Sequence, residues 1–276
     1  MGTRAVGERP YSVASSQFLN PTLIVFIGVY FSYFLTLVLA FTQTSFHPLL
    51  HPLCLIIQIL LVIVMFTPLH DAVHRSAHRS SKMNAVILHS LWPIFLNAPH
   101  VFKLIHLAHH AHTNHGAQDP DHFTSAKSWT MRWVRSFFLI FYYYVYSWKF
   151  IPRTPKNLVW MALSVGFLVG AGVLLWFTPW AIPLFFAWFL PGILGIGFLG
   201  FLNTAWPHHP GAETSRIKNT KILLVPKPLE WLLLAQNYHL LHHLRPSMPW
   251  YDYKAYWRAN RDRLLQEGAE VIDYRK

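Results

Sequence analysis

NLVWMALSVGFLVGAGVLLWFTPWAIPLFFAWFLPGILGIGFLGFLNT, residues 157–204, contains no Asp, Glu, Lys or Arg. A helix that crosses a bilayer needs about 20 predominantly apolar residues, and this run is more than twice that long. TPW (178–180) interrupts it near the middle, so it reads as two spans joined by a tight turn. Residues 21–70 repeat the pattern, with a turn-forming QTSFHP (43–48) between two uncharged apolar runs. Two transmembrane helical hairpins are therefore expected, 21–43 with 49–69 and 157–177 with 180–203. Around them lie a polar N-terminal tail (1–20), a central segment (70–156) and a C-terminal segment (204–276), all expected to form one membrane-bound domain over 1–276. The composition agrees, at 53% hydrophobic and only 12% charged.

The cations are placed as a topology signal. Arg4 and Arg9 precede the first hairpin, and the others fall between Arg75 and Lys156 or between Arg216 and Lys276. Neither interhelical turn carries one. Short loops rich in Lys and Arg stay cytoplasmic, so the N-terminus, the central segment and the C-terminus are expected on the cytoplasmic face. The net charge of +12 then reads as topology and attraction to anionic headgroups. No basic tract or recognition motif points to nucleic acid. The one cysteine, Cys54, excludes a disulfide framework, a thiolate zinc site and an iron–sulfur cluster. The first twenty residues lack the apolar core of a cleaved signal peptide, and MGTRAV carries Val6 where a myristoylation motif wants Ser or Thr.

Of 18 histidines, most fall in three short regions at the ends of the expected spans. HDAVHRSAH (70–78) holds His70, His74 and His78. HLAHHAHTNH (106–115) holds five, and WPHHP (206–210) with NYHLLHH (237–243) holds five more. On a helix, residues i, i+3 and i+4 share a face. His70 and His74 have that relation, with His78 one turn further along the same row. His106, His109 and His110 repeat it, and so do His239, His242 and His243. His112 and His115 point away from the second row. His47, His51, His89 and His100 read as hydrogen-bonded or interfacial residues.

A lone buried histidine is usually a core residue, but this many on matched faces would crowd together unfavourably without something to bind them. Neutral imidazoles are strong metal ligands, suited to Zn, Cu, Fe and Ni. A single site uses three or four protein ligands, so eight or more imply two metals. Redox-capable iron fits best, because no other side-chain set here supports one-electron chemistry. The Glu-x-x-His motif of carboxylate-rich di-iron bundles is absent.

HDAVH, HLAHH and HLLHH resemble the three histidine boxes of the membrane fatty acid desaturase and hydroxylase superfamily. HDAVHRSAH, HHAHTN with DPDHF (119–123), and NYHLLHHLRPSMPWY (237–251) are most similar to the desaturase-like β-carotene hydroxylases. The resemblance covers roughly residues 20–255. It implies an all-α integral membrane fold, four transmembrane helices under a cytoplasmic helical cap that holds a histidine-rich di-iron site. By position it implies His70, His74, His106, His109, His110, His239, His242 and His243 as iron ligands. A further histidine before the third box is expected to be His208 rather than His209, and His78 is a weaker candidate than either row. Asp71, Asp119 and Asp121 are candidate carboxylates behind the ligands. Some relatives use an Asn one turn before the extra histidine; Asn203 stands farther from His208 than that, so no role is assigned to it.

The activity implied is O2-dependent oxidation of an unactivated C–H bond by two irons, with hydroxylation of a carotenoid ring as the first reading. A lipid desaturase or hydroxylase of the same superfamily is the alternative. A haem-binding or metal-transporting membrane protein is a third, disfavoured by the uncharged spans. The chain has no flavin or iron–sulfur motif, so electrons must come from an external donor such as a ferredoxin. Arg75, Arg79, Lys82 and Lys103 could form part of a docking face for it. FYYYVYSW (141–148) reads as an interfacial aromatic belt before it reads as a polyene-stacking surface.

Overall fold

The computed structural model describes residues 18–42 and 50–275. The expected QTSFHP turn, His47, the side chain of His51, and Arg4 and Arg9 lie outside the described residues.

The first hairpin pairs α1 (Pro21–Thr42) with α2 (Leu50–Val73). The second pairs α7 (Pro155–Phe177) with α8, a helical stretch over Ala181–Ala205. Among the described residues, four helices are thus long and apolar enough to cross a membrane, Pro21–Ala40, Pro52–Val73, Pro155–Phe177 and Ala181–Ala205. Their outward faces carry Ile24, Ile27, Phe31 and Leu35 on α1 and Val159, Leu163, Val169 and Val173 on α7, all exposed. A continuous apolar surface of that kind is stable only against hydrocarbon. It is a multi-pass membrane protein.

α2 and α8 form the centre of the bundle, flanked by α1 and α7. Small residues let α8 approach closely. A Cβ at Gly195 would stand 2.6 Å from Val62 Cγ1 on α2, and one at Gly200 would stand 3.0 Å from the Ser136 carbonyl oxygen in the cap. α8 is not α-helical throughout. Phe185–Phe189 and Gly200–Ala205 are π-helical, and the i→i+5 bond from Trp206 N–H to Phe201 O closes the second of these segments.

The cap between the hairpins runs α3 (Ser81–Ser90), α4 (Trp92–Phe95), α5 (Pro99–His112), two short 3-10 turns and α6 (Trp129–Phe150). Pro99 opens α5, where a missing N–H costs nothing. Ser128 caps α6 by accepting from Met131 N–H, and Thr154 caps α7 from Asn157 N–H. After α8 come β1 (Lys221–Leu224), α9 (Lys227–Leu233), α10 (His239–Leu244), α11 (Tyr253–Gln266) and β2 (Glu270–Asp273). The described residues are mostly helical, as expected, with one addition. β1 and β2 pair in parallel from Lys221↔Glu270 to Leu224↔Asp273. Behind them, Ile222, Tyr238, Leu240, Leu241 and Trp257 build a second small core that supports α10.

The row of histidines on α2 stops sooner than the spacing predicts. Arg75 takes a left-handed conformation (φ 60°), Ser76 N–H reaches Asp71 O, and Arg75 N–H reaches Ala72 O. Those two bonds make a Schellman ending, so the chain leaves the helix axis before His78.

Candidate metal centre

α2 delivers His70 and His74, α5 delivers His106, His109 and His110, and α10 delivers His239, His242 and His243. His208 comes from the turn that follows α8. That turn is held from α6: buried Arg132 donates from Nη1 to Ala205 O and from Nη2 to Pro210 O, each at 3.1 Å.

The nine side chains meet as two groups. His70, His74, His106, His110 and His242 form the first; His109, His208, His239 and His243 form the second. In each, one ring nitrogen per residue lies within 4.8 Å of all the others. Within the first, Nε2 of His106 is 2.8 Å from that of His74 and 3.1 Å from that of His110, and His242 Nε2 is 2.7 Å from His110 Nε2. Within the second, His243 Nε2 lies 3.3 Å from His109 Nε2 and 3.2 Å from His239 Nε2, and His239 Nε2 lies 3.1 Å from His208 Nε2.

In four of the nine, the outer nitrogen has a partner that fixes which ring nitrogen faces inward. His109 Nδ1 donates to Asp119 Oδ1 at 2.8 Å, and His208 Nδ1 to Asn219 O at 3.2 Å. Tyr253 Oη lies 3.2 Å from His242 Nδ1, and Thr113 Oγ1 3.4 Å from His243 Nδ1. A proton held on Nδ1 leaves an Nε2 lone pair pointing into the group. Burial, followed by neighbouring imidazoles, holds His106, His239, His242 and His243 well below their ordinary pKa. Burial first, then Lys103 and His109, brings His74 to about 3; burial and His109 do the same for His208.

His109 is the exception. Burial lowers its pKa, but the carboxylates of Asp121 and Asp119 outweigh that and raise it to about 9. Asp119 also accepts the N–H groups of Asn114 (2.7 Å) and Asp121 (2.9 Å). Burial opposes its charge, yet His109 and these bonds hold its pKa below the usual carboxylate value.

The donor set fits metal ions. Neutral imidazole lone pairs at about 3 Å repel unless a cation stands between them. His70 makes no hydrogen bond at either ring nitrogen although buried, and neither does His239 at Nδ1. Five ligands and four ligands suit two ions rather than one. Each group could hold one.

A family model for fatty acid desaturase matches residues 46–275. The chain belongs to the fatty acid desaturase family. No curated protein matches it. Membership brings oxidoreductase chemistry and agrees with a histidine-rich metal site and a lipid-soluble substrate.

The structure also separates the weaker candidates. His78 lies outside both groups: Nε2 is 2.9 Å from Phe18 O, and Nδ1 accepts from Ser80 N–H at 3.0 Å. The Schellman ending of α2 turns it away. His209 packs on the Trp129 ring at 4.6 Å and also stays outside. His112 and His115 are exposed. Of the three carboxylates, Asp119 is bonded to His109, while Asp121 lies 3.6 Å from the same nitrogen and is held by Tyr143 Oη (2.5 Å) and Thr204 Oγ1 (3.3 Å). Asp71 does not support His70, being 4.0 Å away. It accepts instead from Thr22 Oγ1 and from the Trp250 amide, tying α1 to the third-box segment.

Beside the histidines lies a cavity of about 60 Å³. Phe66, Phe102, Leu139 and Leu199 are among its apolar walls, and His70, His106, His109 and His239 line it as well. Asn203 and Tyr143 also line it, and neither was assigned a role from sequence. Asn203 is buried with no hydrogen bond at either amide atom. It lies in the π-helical segment Gly200–Ala205, which ends before His208. The FYYYVYSW stretch proves two-sided: Phe141, Val145 and Trp148 are exposed, whereas Tyr143 is buried.

Proposed function

We propose that the chain is an O2-dependent di-iron oxygenase that hydroxylates a carotenoid, at a ring of the β-carotene type, within the bilayer. The observation that carries this is the convergence of nine histidines, as five and four, with four of them lining a mainly apolar cavity. His70, His74, His106, His110 and His242 would hold one iron, and His109, His208, His239 and His243 the other. Two bound irons, reduced by an external donor such as a ferredoxin, supply the oxidising power that takes hydrogen from an unactivated C–H bond with O2.

The protein's own residues do the rest. Asp119 and Asn219 O orient His109 and His208. Phe66, Phe102, Leu139 and Leu199 exclude water and confine the substrate's hydrocarbon. Tyr143 and Thr204 hold Asp121 next to His109. The distribution of Lys and Arg supports placing the N-terminus, the histidine boxes and the C-terminus on the cytoplasmic side.

The carotenoid is favoured by the resemblance of HHAHTN, DPDHF and NYHLLHHLRPSMPWY to the β-carotene hydroxylases. One observation favours a second reading: a cavity of about 60 Å³ takes a polymethylene segment more readily than a methylated ring, which fits a fatty acyl desaturase or hydroxylase. Expression in β-carotene-producing cells, with pigment and fatty acid analysis, decides between them. Hydroxylated carotenoid is expected. Unchanged β-carotene with altered fatty acids would replace the first reading by the second.

A further inference from the structure

On the outer side of the first histidine group, α2, α3, α5 and α7 line a second pocket, of about 230 Å³. Arg75, Lys103 and Lys156 line it together with His89, His100 and Trp160, and no Asp or Glu does. The three cations come from three different elements: the end of α2, the middle of α5 and the first turn of α7. Among the described residues, none of them has an ion-pair or hydrogen-bond partner for its side chain. Like charges gathered without a counter-charge are unfavourable, and Lys103 registers it: burial first, then the charges of Arg75 and Lys156, lower its pKa. An anion seated between them would relieve that repulsion.

The depth of the pocket says which anion. Lys156 and Trp160 lie at the start of the span Pro155–Phe177, the level at which lipid phosphates sit and at which Trp is enriched. The ring of His100 is fixed there by Asn157 Oδ1 at 3.0 Å. The helices that line the pocket also carry exposed apolar residues, Val86 on α3 and Val159 on α7, as surface for acyl chains. We propose that this pocket binds the phosphodiester of an anionic phospholipid, with Arg75, Lys103 and Lys156 as its cationic walls. Basic pockets between membrane helices are suited to such headgroups. The proposal needs the membrane spans but not the oxygenase reaction.

Native mass spectrometry of the whole protein, given phosphatidylglycerol or phosphatidylcholine, tests it. One phosphatidylglycerol should be retained in preference to phosphatidylcholine. Removing two cations, in Lys103→Gln/Lys156→Gln, should weaken that retention roughly thirtyfold, at about 1 kcal/mol per cation and 1.4 kcal/mol per decade. Lys127→Gln/Arg258→Gln removes the same charge outside the pocket and should retain the lipid. Lys156→Gln alone, at an exposed position, should weaken it about fivefold and serves if the double variant does not fold. Equal retention of the two lipids, or equal retention by wild type and variants, would overturn the site. Displacement by millimolar inorganic phosphate would overturn the lipid assignment. So would variants that keep the lipid but lose electron delivery from an acidic donor, which would assign these cations to a protein partner.

Discussion

Replacing Asp119 tests how the second histidine group is held. Its two oxygens accept from three buried donors, His109 Nδ1 (2.8 Å), Asn114 N–H (2.7 Å) and Asp121 N–H (2.9 Å), and the residue is 1% exposed. Asp119→Ala removes both oxygens and leaves three donors unpaired, at about 1–3 kcal/mol for each donor left without a partner. Asp119→Asn is the finer probe. With the amide oxygen in the Oδ1 place it still accepts from His109 and Asp121, but its NH2 then opposes the Asn114 N–H. The fold should lose about 1–3 kcal/mol, and His109 loses the negative charge that strengthens it as a ligand. Loss of such a partner typically weakens metal binding about 10- to 100-fold. His109 belongs to one group only, so iron should fall from two per chain towards one during dialysis against graded chelators, while the His70 group keeps its own. Metal content by plasma mass spectrometry and the melting temperature of the metal-free protein report the two effects separately. If Asp119→Asn kept both irons with wild-type resistance to chelator, the reasoning would be refuted.

His109→Ala and His242→Ala should abolish turnover with the protein still inserted, whereas His115→Ala, at an exposed position, should leave product yield unchanged in the same cells. Tyr143→Phe removes the bond to the buried Asp121 carboxylate, and a lower melting temperature, corresponding to about 1.5–3 kcal/mol, is expected; an unchanged one would mean that the bond contributes nothing. Gly195→Ala places a methyl 2.6 Å from Val62 Cγ1, an overpacking cost of about 1–3 kcal/mol that thermal melting in detergent would detect. His74 and His208, with pKa lowered to about 3, stay unprotonated as pH falls from 7 to 5, so bound iron should be retained over that range. The sign for the metal-free fold is the opposite: its stability should fall with pH below the ordinary histidine value of 6.5, because the unfolded chain takes up protons that these buried rings do not. Iron released with a midpoint near 6.5 would contradict the lowered values.

The spans and the three histidine rows were legible in the sequence for a simple reason; the division into five and four was not. Charge-free runs and i, i+3, i+4 spacing are local signals, and the helices α2, α5 and α10 realise them directly. His78 was not legible, because a histidine one turn further along a row looks the same whether or not the helix has ended. The ending here depends on a left-handed Arg75, a residue type that does not announce it. Asn203 was noticed but left without a role, because its place on the cavity wall depends on the π-helical register of Gly200–Ala205, which has no periodic signature. Asp71 and Asp119 looked equivalent as carboxylates near histidines. Only tertiary structure sends one to Thr22 and Trp250 and the other to His109. The short parallel pair β1–β2 joins segments far apart in sequence, and KILL (221–224) alone does not specify a partner.

Metal analysis of the purified, full-length protein tests the two-group site most directly. Two irons per chain are expected, with one group's iron lost selectively in His208→Ala and the other's in His74→Ala. Well under two metal ions per chain, or bound haem in their place, would contradict a di-iron centre built from these nine histidines.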